Sequence, residues 1–152
     1  MTPKQGAPTS ASAESAKRLG NHRATIEDYI EYLKPNLGLS DWRIDLMDDA
    51  PTDNSHSAQA FIRTGSDYAK IWVSDDFLTN YSNQERTLTL IHELVHCHLE
   101  RPWQFFEDLA KAELGEQAKN IAQHVFRGHM ELAIERLTVV LANYVDHIDL
   151  DS

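Results

Sequence analysis

Cysteine is almost missing from this chain, Cys97 being the single one. That excludes an internal disulfide and any zinc knuckle built from several thiolates. Basic residues are also scarce, 14 Lys and Arg against 24 Asp and Glu. The resulting net charge of −10 argues against a nucleic-acid partner, whose backbone calls for clustered Lys and Arg. An acidic surface of this kind serves solubility. Long apolar runs are lacking as well. None approaches the roughly 20 residues that span a bilayer, and the N-terminus has no apolar stretch of the secretory type. A cytoplasmic protein with no membrane partner is expected.

What is present suits one folded unit: 152 residues, 41% of them hydrophobic, suffice for a single domain with a real core. Met1 to Gly20 is rich in Ser, Ala, Thr and Pro and reads as a disordered tail, which leaves residues 21–152 as the domain. From about Arg23, the residues Ile26, Tyr29, Ile30, Leu33 and Leu37 recur at helical spacing, closed by Pro35 and Gly38. Trp42, Ile44 and Leu46 alternate with charged residues as in a half-buried strand. A loop is expected over Asp48–Ser55. Ala58–Thr64 and Tyr68–Ser74 flank Gly65-Ser66-Asp67 and read as a hairpin. The fold class is α+β, a small antiparallel sheet followed by a buried helix and C-terminal helices. Asp75-Asp76 reads as a turn, and Trp42, Trp72 and Trp103 as core.

The buried helix starts at a capping box, Ser82 with Glu85 three residues on, and is expected to stop before Pro102. Its centre reads His92-Glu93-Leu94-Val95-His96, an HExxH motif. Residues four apart on a helix lie about 40° apart and one turn up, so both imidazoles can face one cation. Glu93, about 100° round from His92, can reach a water on that cation. Thr89, Glu93, His96 and Glu100 share one polar arc, and apolar residues fill nearly all the rest of the circle. A helix of that pattern is buried except for its polar strip. Three titratable groups gathered there need partners. Chance matches to HExxH and satisfied core histidines are the plain alternatives.

Two histidines leave a zinc site incomplete, since a catalytic one has three protein ligands and an open position. The extended form HExxHxxGxxH fails, because its glycine position is Leu99 and its last histidine position is Pro102. His98 points about 240° from His92, away from the site. Beyond Pro102, a short helix with Trp103, Phe105, Phe106 and Leu109 precedes a further helix over Glu116–Phe126. A final helix over His129–His147 is expected to bury Met130, Ala133, Ile134, Leu137, Val140, Leu141, Tyr144, Val145 and Ile148 on one face. On that helix Glu131 borders the apolar face and Glu135 sits about 40° further out. Glu131 is the better third ligand, with Glu135, His124 and His129 as alternatives.

HExxH followed at a distance by a Glu-x-x-x-acid helix resembles the gluzincin zinc metallopeptidases. The compact layout, over roughly residues 68 to 145, is similar to minimal zincin-like members: ImmA/IrrE-type peptidases and small phage- or prophage-encoded proteins predicted to be peptidases. The resemblance implies one zinc ion held by His92, His96 and Glu131, with Glu93 as the catalytic glutamate. It gives Glu135 a supporting place where that family often has Asp. It also implies a peptide or protein substrate, aligned by an edge strand taken to be Tyr68–Ser74. A cation held by two imidazoles and one carboxylate lowers the pKa of its water toward about 7. Glu93 would then take the water's proton and pass it to the leaving amine. Tyr81, His124, His129 and Tyr144 are candidates to steady the oxyanion. Two other readings stand beside this one. A deformylase-like amidase would need a cysteine ligand upstream of the motif, whereas Cys97 follows His96. A non-catalytic, metal-stabilised acidic interaction module needs no role for Glu93.

Overall fold

The computed structural model describes residues 10–49 and 56–152. Most of the loop expected over Asp48–Ser55 and the first nine residues of the expected tail lie outside them. In chain order the described elements are α1 (Ser10–Asn36), β1 (Arg43–Leu46), β2 (Ala58–Ile62), β3 (Tyr68–Val73), α2 (Asp75–Thr79), α3 (Asn83–Glu113) and α4 (Glu116–Ala142). The class is α+β, as the sequence indicated.

Helix α1 begins well before Arg23. The tail expected to reach Gly20 is helical from Ser10, because Leu19 is buried in the core and Arg18 bonds both Glu14 and Asp75. Composition misses this, since one anchoring leucine and one arginine suffice. Ile26, Ile30 and Leu33 are fully buried on the next turns, each contributing about 1.5–3 kcal/mol of burial. The helix ends at Asn36, and Gly38 supplies the positive φ of 70° that turns the chain away.

The sheet order is β1-β3-β2. β2 and β3 form the expected antiparallel hairpin, with Gly65 at φ 75° in its turn. β1 pairs with β3 in parallel, so the sheet is mixed rather than purely antiparallel. The strand with the longest apolar run, Ala69 to Val73 broken only by Lys70, takes the centre because both its edges and most of its side chains are covered there. Asp75 and Asp76 open the short helix α2, capped by Ser74, where a turn was expected. Trp72 is core, while Trp42 packs on the core's margin.

α3 starts at Ser82 with the full capping box but does not stop at Pro102. It runs on to Glu113, and α4 runs unbroken through Gly128, where two helices were expected. An interior proline loses one hydrogen bond and crowds the turn before it, at about 3 kcal/mol. Aromatic packing between the two helices offsets that cost. Phe106 and Phe126 lie face to face with centroids 4.2 Å apart, and Trp103 stacks on both.

α4 buries Ile134 and Thr138, while Leu137, Val140 and Tyr144 of the expected inward face are 46%, 54% and 79% exposed. The helix packs chiefly against α3, so its covered strip is narrow and is centred on Glu131, Ile134, Thr138 and Leu141 instead. After α4 the chain returns to the start of α3. Ile148 and Leu150 are buried there, and Thr87 Oγ1 accepts from the Ile148 N–H at 3.0 Å. Arg86, 2% exposed, donates to the carbonyls of Phe77 and Leu78 and to Asp151. This strap fixes the N-terminal half of α3, and the motif with it.

Candidate metal centre

The core face of α3 carries Leu90, Ile91, Leu94, Val95 and Cys97, all buried. That orientation turns His92 and His96 to the opposite side, toward α4. Their rings lie 5.1 Å apart at 66° to each other, and each imidazole is about a quarter exposed. From α4, Glu131 reaches both, its carboxylate oxygens 3.4 Å from His92 Nε2 and 3.6 Å from His96 Nε2. One ligand atom from each of the three residues lies within 4.8 Å of the other two.

These donors fit a zinc ion. Bonds of about 2.0–2.1 Å arranged as a tetrahedron put neighbouring ligand atoms about 3.4 Å apart, the spacing found between Glu131 and the two imidazoles. Two imidazoles with one carboxylate are a donor set zinc accepts. Burial holds His96 below the ordinary histidine pKa, Glu131 pulls upward, and His92 and Arg127 push it down further. The net direction favours the neutral, ligating form.

Glu93 sits beside the triad and is the most perturbed carboxyl in the cleft. Burial pushes its pKa up to about 7, a hydrogen bond from the Ala60 N–H opposes this, and the Glu131 charge adds to it. That bond is 2.7 Å long, from the Ala60 backbone to Glu93 Oε2. It also reveals which edge of the sheet is free. Ser57 and Arg63 make their ladder hydrogen bonds with β3, so Ala58, Ala60 and Ile62 turn their backbone groups the other way, toward the cleft. The strand expected to line the site, Tyr68–Ser74, is instead the sheet's centre, paired on both sides. β2 takes that place.

Two connected hollows flank the triad, about 630 Å³ toward Ile62, Leu99 and Trp103 and about 400 Å³ toward Leu88 and Val139. Both are lined by His56, Ala58, His92, Glu93 and Glu135. Glu135 therefore borders the cleft without joining the three converging ligand atoms. Thr89 lines the smaller hollow and Glu100 the larger, where burial and then Glu107 raise the Glu100 pKa. His129 borders a different, apolar groove with Phe106 and Val125, and His124 is exposed. Of the expected oxyanion candidates, Tyr81 packs against Phe77 and Tyr144 points to solvent. None of the four lines the cleft. His56, Gln59 and Arg127 do, and they escaped the sequence reading. Arg127 stands four residues before Glu131, a spacing that shows only once α4 is known to be continuous.

His98 donates from Nε2 to the Leu37 carbonyl at 2.6 Å, away from the triad. Cys97 is buried in the core, and burial pushes its thiol up to about 12, so it offers no ligand. No known protein family, curated protein or solved structure matches the chain. Among the described residues, no helix is long and apolar enough to cross a membrane.

Proposed function

We propose that the protein is a cytoplasmic, zinc-dependent metallopeptidase of gluzincin type, with His92, His96 and Glu131 as ligands and Glu93 as the general base. The observation that carries this is the meeting of three ligand atoms from two helices beside a buried glutamate and a free strand edge. Histidines and glutamates on a solvated helix face would not converge in this way from positions so far apart in sequence.

Zinc at these ligands would supply Lewis acidity, polarising a carbonyl and acidifying a water. The chain's own residues do the rest. Glu93, whose pKa is raised to about 7, is a stronger base than an ordinary glutamate and can take a proton near neutral pH. The same carboxyl then returns that proton to the leaving amine. The backbone groups of Ala58 and Ile62 and the carbonyl of Ala60, whose N–H is held by Glu93, face an extended peptide, which can lie along β2 as an added strand. The two hollows would take side chains on either side of the reacting carbonyl.

The direct test is metal content per chain, on protein purified without added metal and then after zinc is returned. Wild type should hold close to one zinc. His92→Ala and Glu131→Ala should lose it, and Glu135→Ala should keep it. A wild type that holds no metal even with zinc supplied would end the peptidase reading. Glu135→Ala losing zinc while Glu131→Ala keeps it would reassign the third ligand.

A further inference from the structure

The metallopeptidase reading leaves open what distinguishes one peptide from another, and Arg127 bears on that. β2 and α3 run the same way along the cleft, from the Leu88 end to the Leu99 end, and α4 runs back. Arg127 enters the larger hollow from α4, four residues before Glu131. That places it about 40° round the helix from the ligand and about 6 Å along it, toward the Ile62 and Trp103 end. Its side chain is exposed at the hollow's rim, and its guanidinium lies 5.1 Å from the centre of the Trp103 ring, a weak contact that biases it toward the hollow's wall. It is the single Arg or Lys among the described residues that line the hollow.

Arg127 makes no ion pair with a carboxylate among the described residues, although Glu93, Glu100, Glu131 and Glu135 line the same hollow. The cleft therefore holds a cation on an aromatic platform with its planar fork of donors unspent. A carboxylate is the group that fork fits best, through two parallel hydrogen bonds.

Resting on the metallopeptidase reading, we propose that Arg127 selects substrate by binding a carboxylate that the peptide carries on the Ile62–Trp103 side of the triad. An extended chain advances about 3.3 Å per residue, so the carboxylate belongs about two residues from the bond to be cleaved. Its source depends on strand polarity. A peptide antiparallel to β2 places its N-terminal half at the Arg127 end, where an Asp or Glu side chain must supply the group. A parallel peptide places its C-terminal half there, and a free C-terminal carboxylate serves equally.

The test is peptide binding to zinc-loaded Glu93→Gln protein, which cannot turn the peptide over, read by fluorescence anisotropy. The probes are labelled decapeptides of Ala, Ser and Leu in which one Glu moves through the positions, each with a Gln and a Lys counterpart. Every sequence is made with a free and an amidated C-terminus. The expected result is binding about tenfold tighter for one carboxylate placement, lost in Arg127→Ala and reversed toward a Lys counterpart in Arg127→Glu. A preference confined to one Glu position assigns the side chain; a preference for the free acid at any Glu position assigns the terminus. Carboxylate selectivity that survives Arg127→Ala, or none in either series, overturns the proposal. If such protein nevertheless holds zinc, and cleaves once Glu93 is restored, the peptidase reading stands and only the anchor falls. Failure to hold zinc removes both.

Discussion

Burial first, with the Glu131 charge adding to it, makes Glu93 the most strongly raised carboxyl among the described residues. Its carboxyl is pushed up to about 7 from an ordinary 4.5, so the folded protein holds that proton more tightly than the unfolded chain does. The stability this contributes is complete below about pH 4.5 and is lost as pH rises through about 7, on the order of 3 kcal/mol. Metal-free wild type should therefore show a melting temperature that falls between about pH 5 and 8, and Glu93→Gln should flatten that slope. The same variant, loaded with zinc, should retain the metal and lose hydrolysis by about 10²- to 10⁴-fold. Unchanged turnover would remove Glu93 from the chemistry, and no hydrolysis by zinc-loaded wild type would favour the non-catalytic module. HExxH made Glu93 readable from the sequence because its geometry is local to two turns of helix. Arg127 was unreadable for the opposite reason: its place depends on which way α4 faces and on Trp103 from another helix.

At the scale of elements, the local signals held and the tertiary ones did not show. The capping box at Ser82 and the hairpin about Gly65 are short-range patterns, and both appear where expected. The parallel pairing of β1 with β3 depends on contacts between distant segments, which no spacing within β1 reports. Pro102 and Gly128 are local breakers overridden by the stack of Trp103, Phe106 and Phe126. Gly128 carries a cost that its surroundings do not require, since a Cβ there would meet nothing within 4 Å. Gly128→Ala should stabilise the protein by about 1 kcal/mol, raising the melting temperature by about 2–4 °C in thermal unfolding. A lowered melting temperature would mean that the outward face of α4 at Gly128 is covered in solution.

For the whole molecule, the candidate centre draws on segments that the core alone holds loosely together. α1, the sheet, the first half of α3 and the C-terminal strap share one apolar cluster, to which α4 contributes Ile134 as a fully buried residue. The rest of α4 leans on α3 and exposes much of its apolar surface. Zinc bound at hundredfold its dissociation constant adds about 2.7 kcal/mol to the folded state. Chelation should therefore lower the melting temperature by about 5–10 °C, with no such change in His92→Ala. Glu131 lies far along the chain from His92 and His96, so a cation shared among them ties two distant loci and closes the long loop between them. Ring closure of that kind acts on the unfolded chain's entropy as a disulfide does. In a protein whose lone thiol is sealed in the core, a bound metal would be the available cross-link, and the hairpin of α3 and α4 should exchange its amide hydrogens faster when that metal is withdrawn.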